Sequence, residues 1–146
     1  MFPFIQCTGP RIIVSPTSQR VSQISPLRMT CIAYLGNETQ QQPTSLTWYN
    51  EVNEVITNST QVNIYTSTVV RRGHVFMESI LEACIVYPNL IGQLSCGVSN
   101  VEGQDSARWN ITYNNNCTPE SPCPPPSKCN FHAAVCITTT GTCFHV

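Results

Sequence analysis

The feature that most narrows the fold is a Cys–Trp–Cys succession, Cys31, Trp48 and Cys96, in which each residue sits in an alternating apolar run. Leu27, Met29, Cys31, Ala33 and Leu35 fall on one face, with Arg28, Thr30 and Ile32 between them, and Pro26 and Gly36 bound the run. Period-two alternation between such breakers reads as a half-buried β-strand. Leu94, Cys96 and Val98 make a second run, and Leu46 and Trp48 a third. Three strands that direct these side chains inward suit the two layers of a sandwich. Across such layers two cysteines can bond and a Trp can pack on the bond.

The same reading extends along the chain. Residues 12–14, between Pro10 and Pro16, read as an edge strand, where proline is tolerated. Further strands are expected over 20–24, 27–35, 45–50, 61–65, 74–84, 93–100 and 107–113, with a short one within 51–56. Residues 66–70 continue extended to a turn at 71–73. The polar stretch 36–44 reads as an exposed loop and 88–92 as a corner. Trp109, Ile111 and Tyr113 share one face of the last strand, and Arg108, Asn110 and Thr112 the other. No helical period persists over three turns, so the expected class is all-β.

The order Cys, Trp, Cys resembles the immunoglobulin domain. The run Cys96-Gly97-Val98-Ser99-Asn100-Val101-Glu102-Gly103 is similar to the F strand and FG turn of the I-set or C2-type subclass. Leu81-Glu82-Ala83, Val86 and Gly92 are similar to strand E and the EF corner. The resemblance covers residues 8–114. It implies an immunoglobulin-like β-sandwich of two antiparallel sheets, a Cys31–Cys96 bridge, and a core holding Trp48, Leu81 and Leu94. Two positions depart from the pattern. The subclass places Asp six residues before the second Cys and Tyr two before; Leu90 and Leu94 stand there. The tyrosine-corner hydrogen bond is thus lost, and the EF turn must be held another way.

Composition shifts at residue 115. Residues 117–146 hold five of the nine cysteines, with Pro119, Pro122 and Pro124 to Pro126. Such density marks a disulfide scaffold. Cys117, Cys123 and Cys129 resemble the opening of an EGF-like module, but Cys136 and Cys143 then follow at seven-residue steps and the Cys-x-Cys pair is missing. Residues 115–146 are therefore expected to form a cysteine-rich, irregular segment. In the immunoglobulin topology strands E and G finish at the same end, which implies a second bridge from Cys84 to Cys117; Cys123 competes for it. That pairing leaves five cysteines, so one is free or bonds outside this chain.

Structural disulfides are rare in reducing compartments. Four N-glycosylation sequons begin at Asn37, Asn58, Asn110 and Asn116, and they agree with a secretory history and N-glycans. Residues 1–5 lack the basic start and apolar core of a signal peptide, and no run of about 18 apolar residues could span a membrane. A fragment, or an exported chain whose signal lies outside this sequence, reconciles these observations.

Net charge is −1 and only 10% of residues are charged, which argues against nucleic acid or an anionic membrane as partner. His74, His132 and His145 offer no activated nucleophile where the cysteines are bridged. The tail cysteine spacings do not match the usual zinc pairs, no phosphate loop is present, and Glu78 and Glu82 flank no scissile bond. No catalytic residue, cofactor or metal is expected. The reading is an extracellular protein-binding module of a cell-surface adhesion or receptor protein, with an extracellular protein or a homophilic partner as ligand. A secreted modulator such as a decoy or protease inhibitor is the alternative. Exposed sheet faces and the BC and FG loops are the expected contact surfaces, by analogy with the fold.

Overall fold

The computed structural model describes residues 9–22, 26–113, 128–130 and 135–137. Nine of its strands build the two sheets of the sandwich. The first sheet has four strands in the order β1 (Arg11–Val14), β3 (Leu27–Asn37), β7 (His74–Ala83), β6 (Val62–Arg71). The second has five, in the order β2 (Gln19–Val21), β9 (Gly103–Tyr113), β8 (Gly92–Asn100), β4 (Ser45–Tyr49), β5 (Val55–Ile56). A separate ladder pairs β10 (Lys128–Asn130) with β11 (Val135–Ile137) and sets Cys129 opposite Cys136 in register. This two-layer arrangement is the immunoglobulin-like sandwich that the Cys–Trp–Cys order implies.

The alternation seen in the sequence decides which side chains meet. Leu27, Met29, Cys31, Ala33 and Leu35 are all buried along β3, and Leu94, Cys96 and Val98 along β8. The two layers close through a Cys31–Cys96 disulfide with a Cα–Cα distance of 6.7 Å. Trp48 lies opposite Cys96 in the β4–β8 register and is almost fully buried, with Leu81 and Leu94 in the same cluster. Its ring meets Trp109 edge-on, with centroids 5.7 Å apart.

Three expectations need correction. One strand pair is parallel: β2 runs alongside β9. Residues 15–18 carry no turn, so the chain passes from the first sheet to the second without reversing. The expected strand over 61–65 and the extended stretch after it form one continuous strand, β6, because all ten residues pair with β7. The last strand begins at Gly103 rather than 107, because the FG hairpin stays paired down to Asn100 and Gly103.

The corner before β8 shows how the missing tyrosine bond is replaced. Pro88–Leu90 form a 3-10 turn, and Leu90 is fully buried where the family pattern has an acid. The phenol of Tyr113, at the end of β9, donates to the Val86 carbonyl at 2.7 Å. A tyrosine on the last strand thus ties down the corner from the neighbouring side. Gly92 completes the turn with φ +108, and a Cβ there would run into the Glu51 carboxylate.

Burial pushes the Tyr113 hydroxyl up from its ordinary value of 10.0 to about 12. The folded state therefore favours the neutral phenol. Stability from this group is fully present below pH 10 and is lost as pH rises from about 10 to about 12. Tyr113→Phe is expected to cost about 1 kcal/mol at neutral pH, since the Val86 carbonyl loses its donor. Urea titrations at pH 7 and pH 11 check this, because the difference between wild type and variant should shrink at the higher pH.

Candidate functional site

With Leu27 to Leu35 and Val75, Ser79, Leu81 and Ala83 turned into the core, the alternate residues of β3 and β7 face outward. The register sets Ile32 opposite Glu78 and Tyr34 opposite Phe76, with Val69 of β6 on the other side of Phe76. Ile13 on β1 completes a shallow cleft of about 270 Å3, which Arg71 and Glu78 rim. Ile13 is 49% exposed and Ile32, Val69 and Phe76 are half-buried, so apolar surface meets solvent here.

Aromatic contacts hold one end of this face. The Tyr34 ring tilts against Phe76 and His74, with centroids 5.4 Å and 5.6 Å away. The Tyr34 hydroxyl and His74 Nδ1 share a 2.7 Å hydrogen bond, and the Arg11 guanidinium lies 5.5 Å from the ring centroid. At the other end Arg28 and Glu82 approach to 3.9 Å; both are partly exposed, so the pair contributes little. His74 is therefore part of an aromatic row. Among the described residues no cluster of three His, Cys, Asp or Glu side chains could hold a metal ion.

Asn37, Asn58 and Asn110 are all exposed. Asn37 Oδ1 accepts from the Thr39 amide at 3.3 Å, and Asn58 Oδ1 from the Ile64 amide at 2.6 Å. Asn110 lies on β9, outward from Trp109 and Ile111, and its amide donates to Ser18 Oγ at 2.9 Å. Asn116 and Cys117 lie outside the described residues. Cys84 is disulfide-bonded, and the side chain of its partner lies outside the described residues, so the expected Cys84–Cys117 pairing stands as an expectation. The FG turn projects Val101, 80% exposed, and no helix among the described residues is long and apolar enough to cross a membrane.

Sequence reasoning missed Ser79. It is the one fully buried polar side chain among the described residues, accepting from Trp48 Nε1 at 2.7 Å and sharing a 2.9 Å hydrogen bond with Thr66 Oγ1. Its signal is a hydroxyl at an inward position between Met77 and Leu81.

No protein-family model matches the chain, and no curated protein does. Solved structures do match. The cell adhesion molecule DSCAM, solved as its N-terminal eight Ig domains, superposes with a TM-score of 0.59 at 17% identity, over 73% of this chain and 14% of that one. The twitchin kinase region from C. elegans gives 0.53 at 15% identity, over 73% of this chain and 17% of that one. A chain of the titin M10–obscurin like 1 Ig complex gives 0.51 at 19% identity, over 72% of this chain and 93% of that one. The chain thus spans about a sixth of the length of the twitchin structure. At these identities the likeness establishes the fold: residues of this chain form an immunoglobulin-like β-sandwich.

Proposed function

We propose that this chain is a protein-binding module of a secreted or cell-surface adhesion or receptor protein. The observation that carries the reading is the outer face of the first sheet, where Ile13, Ile32, Val69 and Phe76 form an open apolar cleft rimmed by Arg71 and Glu78. Exposed contiguous apolar surface with a charged rim suits protein contact. The extracellular part of the proposal is supported by the Cys31–Cys96 bond and by sequon asparagines on the surface at 37, 58 and 110. Two of the similar structures fit this use: DSCAM is by name an adhesion molecule, and the titin M10–obscurin like 1 Ig structure is a complex of two proteins.

The test expresses the full chain in a glycosylating secretory host. Secretion with glycans that disappear in turn with Asn37→Gln, Asn58→Gln and Asn110→Gln is expected. The purified chain is then screened on beads against a panel of extracellular domains, and Phe76→Asp should weaken any specific capture at least about tenfold. A chain retained without glycans counts against the extracellular reading. Captures that Phe76→Asp leaves unchanged count against the cleft.

A further inference from the structure

The four edges of the sandwich are not alike. β2 and β5 are three and two residues long. On β1, Asp105 Oδ2 accepts from the Ile12 amide at 2.8 Å. The β6 edge is ten residues long. Its N-terminal part is covered by its own chain: Ser59 Oγ accepts from the Val62 amide, the Ser59 amide donates to the Val62 carbonyl, and Asn58 Oδ1 accepts from the Ile64 amide. The amides of Val62 and Ile64 therefore point away from β7. Alternation along a strand then points those of Thr66, Thr68 and Val70 the same way. The hairpin gives the same parity, since Arg71 and His74 close a two-residue turn at Arg72 and Gly73, both with positive φ. The outward amides and carbonyls of Thr66, Thr68 and Val70 have no partner among the described residues. Thr66 to Val70 also carry no proline and no charge, the usual protections of an open edge.

We infer that this edge pairs antiparallel with the β6 edge of a second copy, about a twofold axis at Thr68. The inference rests on the protein-binding reading and names its partner and its surface. The free groups set the register. Thr68 opposes Thr68 of the second copy and Thr66 opposes Val70, so every outward group from 66 to 70 finds a partner. Strand lengths agree: the Arg72-Gly73 turn of each copy arrives where the Asn58 cap of the other begins. Charge agrees as well. The Arg71–Arg72 end of one copy reaches the end of the other where β7 carries Glu78 and Glu82. On the outer face Val69 lies beside the axis, so the two apolar clefts become continuous across it.

Sedimentation of the full secreted chain, with its glycans and after their enzymatic removal, tests the pairing. A concentration-dependent dimer is expected. Thr68→Pro removes an outward amide and leaves the β6–β7 ladder intact, so it should weaken the dimer at least about tenfold without changing the far-UV spectrum. Thr68→Cys should trap a dimer above the wild-type background under mild oxidation, because opposed Cα atoms lie about 5.5 Å apart. Val70→Cys should not, since four residues of offset separate its copies by about 14 Å. A wild-type chain that is monomeric in both glycan states overturns the inference. So does a dimer indifferent to Thr68→Pro, and absence of the Thr68→Cys product overturns the twofold at Thr68. A monomer that is still secreted, glycosylated and captured through Phe76 leaves the protein-binding reading in place.

Discussion

Replacing Cys31 and Cys96 together by alanine is expected to lower the unfolding free energy by about 4 kcal/mol. The bridge spans a sequence separation of 65 residues. Closing a loop of that length removes many unfolded conformations, and their return on reduction favours the unfolded chain. For a domain of this size the loss corresponds to a drop of about 20 °C in melting temperature. Both sulfurs are fully buried, so the variant also loses packing against Trp48 and its neighbours. Calorimetry of the two proteins under non-reducing conditions checks the result. Equal melting temperatures would show that the bridge contributes nothing to the core.

Trp48→Ala is expected to cost about 3–5 kcal/mol, the range for removing a large aromatic from a packed interior. The ring occupies the centre of the main cluster, with Trp109 edge-on to it. A polar cost adds to the cavity, because Ser79 loses the indole donor while buried. Ser79→Ala alone should cost about 1–3 kcal/mol by stranding the indole N–H. A double-mutant cycle with Trp48→Phe separates the two contributions: Ser79→Ala should be milder in the Phe background, by about 1 kcal/mol. Denaturant titration followed by circular dichroism gives all four stabilities. Additive effects would mean that the 2.7 Å contact carries no net energy.

Period-two alternation was enough to locate the strands, though not the full extent of β6 and β9, and to separate core from surface, because a strand with one wet face must repeat every second residue. Leu27 to Leu35 and Leu94 to Val98 behave so, and the Cys–Trp–Cys order then selects a sandwich. Long-range partners are another matter. Nothing in the order of residues says that Tyr113 reaches the Val86 carbonyl, 27 residues away, in place of the missing corner tyrosine. Nor does it say that Ser79 sits beneath Trp48, since that pairing depends on how β7 and β4, from opposite layers, face each other. The open edge of β6 belongs to the same class. Its composition reads as an ordinary strand, and only the capping of Val62 and Ile64 by Asn58 and Ser59 shows where the unpaired stretch begins. Local pattern determined the strands of this protein. Their mutual placement, and with it the hydrogen bonds left over at each edge, was decided by tertiary packing, because those bonds join residues that the sequence holds far apart.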